Sequence, residues 1–158
     1  METIEHTFEP VYDADSKILI LGTMPSPKSR ETGFYYGHPQ NRFWKVLAAV
    51  FDVPCPQTIE EKKAFCHTHH IALWDTLRSC RIEGASDASI QDPVGNDIGA
   101  LVAKTKIEKV FVTGRKAEAF YEAYCGCDLP CVYLPSPSPA NRQISFENLK
   151  KAYECVKD

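Results

Sequence analysis

Residues 17–44 read KILILGTMPSPKSRETGFYYGHPQNRFW, and this stretch decides the fold. Lys17–Gly22 is a short apolar run closed by a glycine, the pattern of a buried strand. From Thr23 to about Gln40 the chain turns rich in proline, serine, glycine and aromatic residues, which predicts a loop. Asn41–Phe51 then has helical character, with Asn41 placed to cap it and Trp44, Val46, Leu47, Val50 and Phe51 as its apolar positions. Strand, loop and helix in that order are the first part of a βαβ crossover.

The alternation continues downstream. Thr58–Glu61 reads as a capping box opening a helix that runs to about His67. Ile71–Leu77 predicts the second strand, and the polar stretch Arg78–Gly95 the longest loop. Asn96 or Asp97 is placed to cap a helix over Ile98–Lys104. Val110–Thr113, ending at Gly114, reads as the third strand. Ala117–Tyr124 reads as helix with Gly126 near its end, and Cys131–Leu134 as the fourth strand, halted by Pro135. Leu149, Ala152, Tyr153 and Val156 share one face of a last helix.

The expected fold class is therefore α/β, a three-layer αβα arrangement around a central four-stranded, mainly parallel sheet. A length of 158 residues suits one domain, 1–158. Ligands of such sheets sit at the carboxyl ends of the strands, near a switch in strand order. That rule points to the exits Gly22–Arg30, Thr113–Arg115 and Pro135–Arg142.

Hydrophobic residues make up 44% of the chain and charged residues 25%, a globular composition. The net charge of -3 offers no overall basic field, so binding a polyanion would depend on basic residues gathered on one face. No signal peptide or membrane span is read, and seven cysteines without a secretory leader suggest reduced thiols inside the cell, in the cytoplasm. The Cys66, His67, His69, His70 group and the Cys125, Cys127, Cys131 group lack paired zinc spacing, so neither a metal nor another cofactor is expected.

Two loops carry candidate chemistry. Phe34, Tyr35 and Tyr36 place flat faces near Lys28, Arg30, Arg42 and Lys45, which suits holding a base and its phosphates, although the same aromatics suit a core. In LPSPSPANR, Leu134–Arg142, prolines alternate with serines. Ser136 and Ser138 can donate to phosphate oxygens and Arg142 can pair with one, while the same prolines also suit an ordinary stiff strand-to-helix turn. His38 reads as structural. Asp75, Asp92, Asn96 and Asp97 read as loop holders or helix caps.

Together these segments resemble the uracil-DNA glycosylase superfamily. GTMPS after the first strand stands in the place of its first motif and LPSPSPANR in the place of its second, DNA-pressing motif. YYGHPQNRFW, ALWDTL, GASDASI and an ND before a helix look most like its hypoxanthine-DNA glycosylase branch. The resemblance implies a monofunctional enzyme that hydrolyses the N-glycosidic bond of deaminated bases in DNA, hypoxanthine first, with xanthine or uracil as further candidates. It implies DNA carrying such bases as the partner, no membrane, and a monomer by default. Met24 stands where most relatives place a water-activating Asp or Asn, and the branch's Asn in the aromatic loop matches Asn41. The resemblance makes Tyr36 the ring that stacks on an everted base, with Phe34 and Tyr35 competing. Thr113 would read the base edge, and backbone amides of Gly22, Thr23 and Gly114 would bind the departing base. Ser26, Lys28, Arg42, Ser136, Pro137, Ser138, Asn141 and Arg142 would contact the DNA, with a wedge expected within Pro137–Arg142. The rival readings are a uracil- or mismatch-directed relative and a non-catalytic nucleic-acid-binding module on the same fold.

Overall fold

The computed structural model describes residues 2–6, 8–84 and 86–157, with the backbone but not the side chain of Asp87. Chain order is β1 (Glu2–Glu5), β2 (Ile18–Gly22), α1 (Pro27–Thr32), α2 (Phe43–Phe51), α3 (Ile59–Thr68), β3 (Ile71–Asp75), β4 (Leu77–Glu83) and β5 (Ser86–Gly95). Then come α4 (Ile98–Ala103), β6 (Lys109–Thr113), α5 (Arg115–Phe120), β7 (Cys131–Leu134) and α6 (Phe146–Tyr153).

The central sheet has four strands in the order β3-β2-β6-β7, every pair parallel. Side chains alternate across a strand, so each face needs its own cover. Ile18, Ile20, Leu73 and Phe111 point to one side, into a core with Trp44 and Leu47 of α2, Phe65 of α3, and Leu149 and Tyr153 of α6. Leu19, Leu21, Val110 and Val112 point to the other, against Ile98 and Leu101 of α4 and Ala117 of α5. The sandwich of helix, sheet and helix agrees with the fold class expected from the sequence.

Strand order sets the position of a site. The chain leaves β2 for β3 on one side and returns from β3 across the sheet to β6, so the exits of β2 and β6 diverge and open a crevice between them.

A second sheet, three strands in the order β1-β4-β5, corrects the reading of Arg78–Gly95 as loop. The predicted strand Ile71–Leu77 breaks at Thr76, and Leu77 begins β4, which pairs antiparallel with both neighbours. Only one face of this sheet is covered, by a small core of Ile4, Leu77, Cys80 and Ile82. Its outer face is polar, β5 is an edge strand carrying Pro93, and register shifts interrupt the pairing with β4. Apolar periodicity is weak there for those reasons. Of the Gly84–Ile90 motif, Ala85 lies outside the described residues.

Smaller differences follow local chemistry. Thr32 ends an unforeseen helical turn, α1, capped by Ser26, whose hydroxyl accepts from the Ser29 N–H. The cap of α2 is Arg42 rather than Asn41, although Asn41 Oδ1 still accepts from Phe43 N–H at 2.9 Å. Asp97 caps α4, while the buried Asn96 donates to the Asp75 and Leu77 carbonyls and ties the two sheets together. The predicted Ala117–Tyr124 helix begins two residues earlier, at Arg115, and closes in a π turn over Tyr121–Cys125.

The capping box of α3 forms as expected: Thr58 Oγ1 accepts from Glu61 N–H at 3.0 Å, and Glu61 Oε1 accepts from Thr58 N–H at 2.9 Å. The Thr58 and Gln57 N–H groups, both donating to this carboxyl, hold it below the ordinary glutamate range. Thr58→Ala is expected to cost about 1 kcal/mol, read as a lowered urea midpoint with an unchanged slope.

Candidate functional site

A cavity of about 260 Å³ opens at the carboxyl ends of β2, β3 and β6. Its floor is built around Gly22. A Cβ placed there would lie 2.6 Å from Asp75 Oδ1, 3.3 Å from the Tyr36 hydroxyl and 3.6 Å from Thr113 Oγ1. Three polar side chains thus meet in a space that only the missing side chain of glycine leaves free.

Tyr36 reaches the floor through a strained backbone. Its φ of 53° is in the left-handed region, where a bulky residue is uncommon. The ring stacks on Phe43 at the start of α2, with centroids 3.7 Å apart and planes at 13°. Thr113 Oγ1 lies 3.2 Å from the Leu21 carbonyl, to which it donates. Having one hydrogen, it therefore accepts from the Tyr36 hydroxyl at 3.3 Å. Burial, with the nearby Asp75 charge adding to it, pushes the Tyr36 hydroxyl far above the ordinary tyrosine value, so it stays protonated. Phe34 and Tyr35 are core aromatics. Phe34 lies parallel to Trp44, and the Tyr35 hydroxyl donates to the Glu9 carbonyl, although Tyr35 also touches the cavity lining.

Asp75 ends β3 and is 4% exposed. Its Oδ2 lies 2.7 Å from His6 Nε2, while Oδ1 has no partner among the described residues and borders the cavity. The sequence reads Asp75 as a loop holder or helix cap. The strand-exit rule applies to it as it does to Gly22 and Thr113, and a carboxylate directly after the apolar run IALW was the available signal. His6, from the far end of the chain, gave none.

The walls come from two loops. Asn41 lines one side. The His38 carbonyl accepts from the Asn41 N–H at 2.9 Å, and the Asn41 amide Nδ2 has no partner among the described residues. His38 lines the cavity too. Gln40 N–H donates to its Nδ1 at 3.0 Å, which in the neutral ring puts the proton on Nε2. Ser136, Pro137 and Ser138 form the opposite wall, where Ser136 Oγ accepts from Ser138 N–H and Ser138 Oγ from Ala140 N–H. Both hydroxyl hydrogens are left to donate outward. Thr23, Met24 and Ser26 complete the first exit, and Ile82 and Gly84 bring the antiparallel sheet to the rim.

Other predicted residues lie elsewhere. Gly114 is outside the lining, and its N–H, expected to meet a departing base, donates to the Leu134 carbonyl in the sheet. Its φ of 99° is in the left-handed region that favours glycine, and a Cβ there would meet Ser136 in ordinary van der Waals contact at 3.4 Å. Arg42 donates to the Ile144 and Asn141 carbonyls at 2.8 and 2.9 Å, and its own N–H donates to the Pro137 carbonyl. It clasps the loop after β7 to the start of α2 rather than offering a free cation. Asn141 donates to the Ser136 carbonyl and Arg142, exposed, to that of Pro139. Lys28 is exposed beside Glu31. Among the described residues there is no cluster of three or more metal-ligating side chains, and no helix is long and apolar enough to cross a membrane.

Three comparisons bear on this site. A family model described as the uracil DNA glycosylase superfamily matches residues 9–157. A protein of Methanosarcina acetivorans named hypoxanthine DNA glycosylase is 34% identical over 155 residues, covering 97% of this chain and 98% of that one. One of the same name from Methanosarcina barkeri is 29% identical over 138 residues, covering 86% and 87%. An NMR structure from Methanosarcina acetivorans superposes with a TM-score of 0.80 at 28% identity, covering 99% of this chain and all of the other.

Proposed function

The chain belongs to the uracil-DNA glycosylase superfamily, and from that premise we propose that it excises hypoxanthine from deoxyinosine in DNA by hydrolysis. The observation that carries this reading is Asn41 in the wall of the cavity whose floor holds Gly22, Tyr36, Asp75 and Thr113.

Chemistry on a base requires the nucleotide to leave the stack, at a cost of a few kcal/mol that is smaller at a damaged pair. Tyr36 offers the everted base the ring face that Phe43 does not cover, and such stacking returns about 1–3 kcal/mol. Ser136 and Ser138 hold the flanking phosphates through hydroxyl donors, while the Ser26 hydroxyl donates to Ser29 Oγ and braces the first exit, and Lys28 and Arg142 supply exposed charge near the phosphates. Arg42 and Asn141 support this surface by shaping the serine loop.

The glycosidic bond between the base nitrogen and the sugar C1′ breaks with its electron pair going to the base. Water oxygen forms the new bond to C1′, and the water's proton passes through solvent to the base. Met24 has no group to orient that water, and Asn41 does so with its amide. An amide is a poor base, so its contribution is positional. The Nε2–H of His38 and the backbone at Gly22 and Thr23 are placed to meet charge developing on the departing base. No side chain in the lining is a lysine, so no Schiff-base nucleophile is at hand and the product is an intact strand with an abasic site.

The test compares oligonucleotides carrying inosine, xanthosine or uracil, single- and double-stranded, under single-turnover conditions. Inosine is expected to react fastest, with strand breakage only after alkali and nothing trapped by borohydride. Good uracil cleavage with inosine untouched would reassign the substrate, and a trapped adduct would reject the hydrolytic route.

A further inference from the structure

The cavity floor contains a buried pair that none of the roles above uses. His6 follows β1, Asp75 ends β3, and they are 69 residues apart in sequence. Their side chains are only 2% and 6% exposed, with Nε2 and Oδ2 at 2.7 Å. The other ring nitrogen, Nδ1, lies 3.1 Å from the Phe8 carbonyl. A carbonyl only accepts, so Nδ1 carries a hydrogen. A contact of 2.7 Å between Nε2 and a carboxyl oxygen then also requires a proton between them. The pair holds that proton jointly and is neutral as a unit, whether written as imidazolium with carboxylate or as imidazole with carboxylic acid.

In both forms the remaining oxygen, Oδ1, is an acceptor and nothing else. It borders the cavity beside Gly22, the Tyr36 hydroxyl and Thr113. The floor is the most buried part of the site, so it faces the edge of the base farthest from the sugar. Deamination changes that edge: the ring nitrogen next to the altered carbon goes from a bare lone pair in adenine to an N–H in hypoxanthine. An acceptor fixed there receives a hydrogen bond from the deaminated base and meets a lone pair in the normal one, an attractive and a repulsive element at a single atom.

Resting on the proposed glycosylase reading, we infer that His6 is a positioning residue that holds Asp75 as a charge-compensated acceptor for the ring N–H of the deaminated base. Compensation matters for two reasons. An unpaired carboxylate buried at this depth would take up a proton, and its Oδ1 could then become a donor. If it stayed ionised, it would oppose the negative charge that the base carries away. Without His6 the floor loses either its selectivity or its compatibility with the leaving group.

A mutant cycle on inosine oligonucleotides tests the pairing. Asp75→Ala is expected to lower the single-turnover rate about a hundredfold, the effect of a lost and unreplaced hydrogen bond in a buried site. Asp75→Asn should stay within about tenfold of wild type, because the amide donates to His6 Nε2 and turns its oxygen to the cavity. His6→Phe, which fits the aromatic niche beside Phe8 and Tyr35, should cost about a hundredfold alone but less than about fivefold when added to Asp75→Asn, since a neutral amide needs no counter-charge. Should His6→Phe fold only together with Asp75→Asn, the same coupling is read in stability. A histidine that merely packs the N-terminal strand would cost the same in both backgrounds, and that equality overturns the proposal, as does an Asp75→Asn variant as inactive as Asp75→Ala. If wild type leaves inosine intact, the substrate reading fails instead, before the cycle begins.

Discussion

Asn41→Ala is expected to slow hypoxanthine excision by about a hundredfold or more while the protein stays folded. Two effects of the substitution separate cleanly. The side chain accepts the Phe43 N–H at the start of α2, so its loss costs about 1 kcal/mol of stability, as for other capping side chains. That amount leaves nearly all molecules folded and cannot account for the rate. The remainder belongs to a water no longer aimed at C1′. Asn41→Asp supplies the control, because a carboxylate keeps the Phe43 hydrogen bond and retains an oxygen to orient the water. It is expected to keep clearly more activity than alanine. Equal rates for wild type and Asn41→Ala, in single-turnover assays on inosine DNA, would remove Asn41 from the mechanism.

Gly22→Ala is the second large effect, also about a hundredfold or more, and it arises without removing any functional group. The new methyl would lie 2.6 Å from Asp75 Oδ1 and 3.3 Å from the Tyr36 hydroxyl. No real Cβ tolerates the first distance, and Asp75 is held at its other oxygen by His6, so the carboxyl group or the strand end must shift. Overpacking of this kind costs about 1–3 kcal/mol, which melting would register as a moderate loss. The rate should fall much further than stability does, since a displacement near 1 Å misplaces every group on the floor. Full activity in Gly22→Ala would show that the base never reaches this depth.

Much of this architecture was legible in the chain. KILILG and VFVT are apolar because helices cover both sheet faces, and such runs stand out, while CVYL, at the sheet edge, is only partly buried. The Thr58–Glu61 box was equally plain, since its partners are three residues apart. The antiparallel sheet was not, because one of its faces meets solvent, its strands bulge, and Ile4, Cys80 and Ile82 are too sparse to set a period. At the site, Tyr36, Asn41, Met24 and Ser136 were placed by their motifs and all line the cavity. Arg42 and Gly114 have partners the sequence does not show: their hydrogen bonds go to carbonyls that only the folded chain brings near. The contact of His6 with Asp75 was invisible for the same reason, spanning almost half the sequence.

The position of His6 also bears on how the protein should be handled. The family model begins at residue 9, and a chain trimmed to that span would retain all four parallel strands and every helix. It would lack the edge strand of the smaller sheet and the imidazole beside Asp75. The leading residues, which look like a dispensable tail, are better treated as part of the active centre when tags or truncations are chosen.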